Sequence, residues 1–404
     1  MAGKLSGRSE GENRSIRSLF EVAVISILLL SASAYCLLYR YPSISSEGVP
    51  SNRSFILSVT STLENRSPQG KIWNLSEIEK TIGLFINDTW QTVYLLNASY
   101  PVEEIQTDTD GNPIASISFP KSKILYGENI TYQIAYKIIL KPRSLPEISE
   151  SQSGTLNEIN DELKEKYCRA SGPWQVEQED LRDLAFKIAG NETNVLVLLK
   201  RFILWIKGNI SYESRDLPKY PTETLRDKSG DCDDQANLLI TLCRIIGIPA
   251  YLQIGCIYLP QRESERAYWE GHWMLRLTRI GWHGWAVVYV PPWGWIPVDL
   301  TYVPGILSDP LNAIREAAII AYATVQYANV TETDYVASSR SYREFLLSNG
   351  FKIYEHDALF EEDEKRPEGD TFRLPPFYTF ICLSVSSSNI IGATCIREDL
   401  IHKL

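Results

Sequence analysis

"SGDCDDQANLLITLCRIIGIPAY", residues 229–251, sets a cysteine at the head of an apolar run and among three aspartates. Ala236, Leu238, Leu239, Ile240, Leu242, Ile245 and Ile246 leave few polar positions, so the run reads as a buried helix. Gly247 suits its C-terminal cap, and Pro249 follows where the helix has stopped. Cys232 then lies in the first turn, where free N–H groups point outward. Such a position lowers a thiol pKa and offers donors to an oxyanion. Asp231, Asp233 and Asp234 pull the other way, because nearby anions disfavour a thiolate. The residues leave three roles open for Cys232: nucleophile, metal ligand or packing. As a nucleophile it needs a cationic partner from elsewhere in the chain.

Only four histidines exist, at 272, 283, 356 and 402. Two fall in "GHWMLRLTRIGWHGWAVVYVPPWGWIPVDLTY", residues 271–302. A strand carrying "AVVYV" follows His283, "WGW" turns, and "IPVDL" makes the next strand. In a hairpin of this length His283 and Asp299 lie across from each other. Cys232, His283 and Asp299 then supply a nucleophile, a base and an orienter. His272 is the rival base. The aspartates beside Cys232 lack the Gly and distal Glu of a calcium loop, so they read as caps and solvated first-turn carboxylates, with no metal site expected. Cys243 reads as core. The tryptophans at 269, 273, 282, 285, 293 and 295 fit either an acyl-binding cleft or packing on the sheet.

These two stretches resemble the motifs of the transglutaminase-like superfamily. The first follows its Gly-x-Cys, apolar helix, Arg-x-x-Gly-Ile-Pro-Ala pattern. The second follows its His-x-Trp, aromatic strand, Trp-x-x-Val-Asp-x-Thr pattern. Cys232, His283 and Asp299 match the family's triad in its order. The resemblance covers about residues 220–302, with Gly284 where alanine is common and Leu300 where proline is common. It implies an α+β, papain-like core in which the helix bearing the cysteine packs on an antiparallel sheet bearing the histidine and aspartate. It also implies cysteine chemistry on amide bonds through a thioester, a course common to hydrolysis and protein cross-linking; nothing in the sequence marks a lysine-binding acceptor site, so peptide or amide hydrolysis is the first choice. No cofactor is implied, and nothing matches the calcium-binding insertions of animal transglutaminases. Membrane-anchored prokaryotic members with a β domain before the core are similar in layout.

The rest of the 404 residues frame that core. A net charge of −10 with no basic stripe argues against a nucleic-acid partner; a protein or peptide is the expected substrate. "LFEVAVISILLLSASAYCLLY", residues 19–39, has the length and apolarity of a transmembrane helix. Lys4, Arg8, Arg14 and Arg17 precede it, which predicts residues 1–18 in the cytoplasm and the remainder outside. A cleaved signal peptide is the alternative, with "SASA" at 31–34 as its site. Asn-x-Ser/Thr sequons begin at Asn52, Asn65, Asn74, Asn87, Asn97, Asn129, Asn191, Asn209 and Asn329. That is more than the roughly three expected by chance, and suits a glycosylated outer face. Of the seven cysteines, Cys382 and Cys395 make a plausible disulfide.

Residues 40–50 read as a tether and 51–143 as a small β-sandwich, with a hairpin at Asp110-Gly111 and an alternating strand through Ile130, Tyr132, Ile134, Tyr136 and Ile138. Residues 144–165 read as a polar linker, 166–304 as the catalytic core and 305–404 as a C-terminal α/β extension. Helices are expected at about 309–325 and 341–348 in that extension. Its final apolar run, interrupted by Ser386, Ser387, Ser388 and Asn389, is too broken to span a bilayer.

Overall fold

A computed structural model describes residues 52–362 and 381–382. The expected cytoplasmic tail (1–18), transmembrane helix (19–39) and tether (40–50), and Cys395 of the expected disulfide, lie outside the described residues. Among the described residues no helix is long and apolar enough to cross a membrane.

Alternation and turn chemistry set most strands where they are expected. The principal ones are β1 (Arg53–Asn65), β2 (Gln91–Ala98), β3 (Val102–Thr107), β4 (Pro113–Ile117) and β5 (Asn129–Leu140). They are followed by β6 (Ala250–Tyr268), β7 (Trp273–Val290), β8 (Gly294–Val298), β9 (Thr324–Val330) and β10 (Phe351–Glu361). The helices are α1 (Glu179–Ala189), α2 (Val195–Asn209), α3 (Pro221–Asp227), α4 (Cys232–Ile245) and α5 (Tyr335–Asn349). Asp110-Gly111 lies in the β3–β4 hairpin, with Gly111 at φ 83°, where a β-carbon is disfavoured. Gly190 closes α1 at φ 59°.

The separate N-terminal β-sandwich is not what forms. The main sheet runs β9–β6–β7–β10–β1–β5–β2, ending on the short strand Ile381–Cys382. The first strand of the described chain therefore sits between β10 and β5, and β10 runs parallel to the start of β7. Segments expected as a β-sandwich and as a C-terminal extension share one hydrogen-bonded sheet with the core strands. Long-range pairing of this kind leaves no mark on local alternation, which is the same for a strand in any sheet. Side chains reinforce the join: Gln91 bonds the Gln326 carbonyl and Asp110 caps the turn at Thr331 and Glu332.

Two smaller expectations also change. The helix placed at 309–325 breaks into two single turns, Asn312–Arg315 and Ala318–Ala321, and Thr324 already opens β9. The apolar spacing there serves packing against β7 and β6 instead of one helix face. The segment 144–165 is not a free linker, because Ile148 and Ile159 are buried and a helix starts at Asp161.

The core sits where α4 packs on β6 and β7 under α1, α2 and α3. Residues 232–244 of α4 are all buried, apolar and polar alike. β6 is buried without alternation from Leu252 to Leu259, then alternates exposed and half-buried. Its first half is covered on both faces and its second half on one.

Candidate active site

β7 pairs with β6 along one edge. Its other edge changes partner midway, from β10 up to Thr278 to β8 from Ala286 onward. His283 lies in the notch between these partners. The β8 hairpin then returns Asp299 to it, one residue beyond the Ala286–Val298 pair. Nε2 of His283 and Oδ2 of Asp299 are 2.8 Å apart.

Asp299 is held on all sides. Its Oδ2 also accepts from the amide of Ala318 at 3.1 Å. Its Oδ1 accepts from the amides of Thr301 at 3.0 Å and Tyr302 at 3.1 Å. Burial opposes ionisation of this carboxyl, but the charge and hydrogen bond of His283, joined by these amides, hold it below the usual carboxylate range. The imidazole packs between Trp285 and Tyr302, with ring centroids 5.9 and 5.4 Å away. Gly255 pairs with His283 across β6 and admits the Trp285 ring, since a β-carbon there would come within 2.8 Å of it.

The turn before α4 is as tightly built. Gly230 carries no side chain because Asp234 occupies the space, 2.6 Å from where a β-carbon would sit. Asp231 and Asp234 form a reciprocal capping box, with the Asp231 amide donating to Asp234 Oδ2. Oδ1 of Asp234 takes the Lys219 amide at 2.7 Å. Asp233 turns inward and accepts from the Tyr335 hydroxyl at 2.8 Å, and Asn237 donates to that same hydroxyl. The expectation of solvated first-turn carboxylates is therefore corrected: all three aspartates are buried. Tyr335, from a helix a hundred residues away, makes this burial tolerable, and no local pattern announces it.

Cys232 is buried at 3% exposure. Burial, then the charges of Asp231 and Asp233, push its thiol well up, and the amide of Gly284 facing the sulfur opposes them. Gly284 follows His283 directly, so the sulfur lies beside the strand segment that carries the imidazole. The thiol–imidazole hydrogen bond itself is not closed. Nδ1 of His283 is buried without a partner among the described residues, and the sulfur's side-chain contact is Asp233 Oδ1 at 4.0 Å.

Ligand atoms of Asp231, Cys232 and Asp233 lie within 4.8 Å of one another, close enough to share a cation. A hydrogen bond between Asp231 and Asp233, and that from Tyr335, account for the clustering without an ion.

Residues 182–300 match the family model of the transglutaminase-like superfamily. This transglutaminase-like segment holds Cys232, His283 and Asp299. Its likeness to solved structures is distant. A candidate cysteine protease from Cytophaga hutchinsonii aligns over 79% of this chain and 93% of its own, at 17% identity and a TM-score of 0.47. The periplasmic domain of TgpA from Pseudomonas aeruginosa, bound to ethylmercury, aligns over 61% and 90%, at 19% identity and 0.27. A candidate protease from Parabacteroides distasonis aligns over 70% and 68%, at 10% and 0.24. No curated protein matches.

Other residues that the sequence singles out fall away from the site. His272 bonds the Phe351 carbonyl through Nδ1 at 2.7 Å, a tie between β7 and β10. Cys243 is fully buried core and, with Cys168, Cys232 and Cys256, is a free thiol. Of the tryptophans, Trp285 alone stacks near His283, while Trp269 and Trp273 pack on each other. One basic neighbour was not legible in sequence: Lys207, in the last turn of α2, whose ammonium burial pushes down and Asp299 draws back up.

Proposed function

We propose that the chain is a cysteine enzyme acting on amide bonds, with Cys232 as nucleophile, His283 as base and Asp299 as its orienter. One observation carries this reading: Asp299 holds Nε2 of a buried imidazole whose Nδ1 has no partner among the described residues, and the next residue's amide faces the sulfur of Cys232. An imidazole fixed at one nitrogen and open at the other is prepared to accept a proton there.

In the proposed sequence the thiol gives its proton to Nδ1 of His283 as sulfur bonds to the amide carbon. The backbone N–H at the start of α4 helps to hold the oxyanion. The carbon–nitrogen bond breaks as His283 returns that proton to the leaving amine, and a thioester remains. Water then gives up a proton to His283 while its oxygen bonds to the acyl carbon. Sulfur leaves and regains the proton. Hydrolysis is the first choice, and an amine in place of water would give a cross-link. Because the resting thiol is buried and its pKa raised, reaction requires substrate to displace the cover over the site, where Tyr302 lies on His283.

We also propose a single N-terminal anchor at 19–39 that places this domain outside the cytoplasm. The basic flank supports it, as do sequons at the exposed Asn52, Asn74, Asn129, Asn191 and Asn209. Asn65 is excluded as an acceptor, being fully buried and bonded to the carbonyls of Lys71 and Ile124.

The test is mass spectrometry of a peptide pool after incubation with the protein and with Cys232→Ala. New termini, deamidated glutamines or cross-links that require Cys232 are expected. An unchanged pool, together with no selective labelling of Cys232 by iodoacetamide, would leave a non-catalytic cell-surface module on the same fold.

A further inference from the structure

Neighbouring strand residues point to opposite faces. Trp282 therefore faces away from His283, and it lines a cavity of about 110 Å3 bounded by segment 78–85, β1, β5, β7, β9, α5 and β10. Among the described residues the walls carry three carboxylates, Glu79, Glu355 and Asp357, and no lysine, arginine or histidine. Tyr132, Tyr136, Tyr327, Tyr342 and Phe85 supply aromatic surface.

Each carboxylate is fixed by an indole. Trp282 Nε1 donates to Asp357 Oδ2 at 2.7 Å, Trp273 to Glu355 Oε2 at 3.3 Å and Trp73 to Glu79 Oε1 at 3.2 Å. Asp357 is fully buried, and its Oδ1 has no partner among the described residues. Burial pushes the Asp357 carboxyl up to about 7 and that of Glu355 well up, the latter with the charge of Asp357 beside it. Buried carboxylates without a cation stay neutral, and a cation brought among them restores their charge.

The wall opposite is held under strain. Phe85 adopts φ 64°, which a bulky residue rarely does, and its ring packs edge-on against Tyr136 and Tyr327. Gly83 accepts the Tyr136 hydroxyl through its carbonyl at 2.6 Å, and a β-carbon there would meet the Tyr327 oxygen at 1.9 Å.

Among the described residues the group whose ligand atoms all lie within 4.8 Å is Asp231, Cys232 and Asp233. The three cavity carboxylates are spread more widely than one metal ion would hold them. An acidic and aromatic space suits an organic cation. Its size is below the roughly 150 Å3 that admits benzene in another protein, which limits the stem to a few carbons.

We propose that this cavity binds a primary alkylammonium, its charge on Asp357 Oδ1 and its short aliphatic stem against Tyr136, Tyr327 and Phe85. The site is separate from the Cys232 centre and does not rest on the activity proposed for it.

Calorimetric titration of the full chain with n-butylammonium, against n-butanol as the neutral isostere, tests this. Butylammonium should bind at least about tenfold more tightly than butanol. Its affinity should rise about tenfold from pH 6 to pH 8, as the carboxyl titrating near 7 ionises. Asp357→Asn, confirmed folded by its melting transition, should weaken binding at least about tenfold and remove that pH dependence. Glu355→Gln serves as the second variant, with weaker binding expected. Cys232→Ala should bind as the parent does. Competition by Nα-acetyl-lysine amide separates the sources: displacement identifies a lysine side chain as an admissible ligand, and its failure restricts the site to free amines. Binding no tighter than butanol, binding unchanged in both carboxylate variants, or binding lost in Cys232→Ala would each overturn the proposal.

Discussion

Replacing Asp299 by asparagine removes one acceptor from a carboxylate that accepts at both oxygens: His283 and Ala318 at Oδ2, Thr301 and Tyr302 at Oδ1. Asparagine offers one oxygen and one NH2 group. If the oxygen keeps Thr301 and Tyr302, the NH2 faces His283 and the Ala318 amide. The imidazole can answer by moving its proton to Nδ1, but the Ala318 N–H then has no acceptor. If the amide group flips, the Thr301 and Tyr302 N–H groups are stranded together. Each buried donor left unsatisfied costs about 1–3 kcal/mol, so the first arrangement wins. With the loss of a charge-assisted bond the variant should be about 2–4 kcal/mol less stable. At a urea slope of about 3 kcal/mol/M its midpoint should fall by roughly 1 M. The pH sign follows from the depressed carboxyl: the stabilisation is present above the ordinary unfolded value near 4 and is lost as pH falls through the lower folded value. The gap between parent and variant should be full at pH 7 and shrink below about pH 4. Turnover should fall further than stability explains, by about 10³–10⁴, because a proton on Nδ1 makes that nitrogen a donor toward the sulfur. A variant within about 0.5 kcal/mol of the parent that keeps more than a tenth of its turnover would refute the reasoning.

The remaining expectations are briefer. His283→Ala should abolish turnover and move Cys232 alkylation to higher pH, while His272→Ala, whose ring ties to Phe351, should leave both nearly unchanged; rate-against-pH profiles for the two variants decide the assignment. Tyr335→Phe strips Asp233 of a buried donor and should lower stability by about 1–3 kcal/mol in denaturant titration, although Tyr335 lies outside the matched family segment. Asp357 prefers its neutral form in the folded chain, so its contribution to stability declines as pH rises from about 4 to 7; Asp357→Asn should make that stretch of the curve shallower than the parent's, with the raised carboxyl of Asp108 still titrating there. Protease added to intact cells should digest the chain beyond Arg40 and spare the N-terminus, and protection of the whole chain would contradict the proposed anchor.

Local sequence determined a good deal. The apolar run after Cys232, closed by Gly247 and Pro249, specifies a buried helix because burial and capping act over single turns. The spacing from His283 through the aromatic strand and the "WGW" turn to Asp299 specifies a hairpin, and the hairpin returns the carboxylate to the imidazole. Only the tertiary structure decided that β1 and β10 complete the core sheet, since strand alternation marks a buried face and not the partner across it. It alone decided that the aspartates beside Cys232 are buried, because their donors Tyr335 and Lys219 come from other elements. The cavity behind Trp282 belongs to the same class: Glu79, Glu355 and Asp357 stand far apart in the chain, and each reads as an ordinary surface carboxylate until the sheet encloses it.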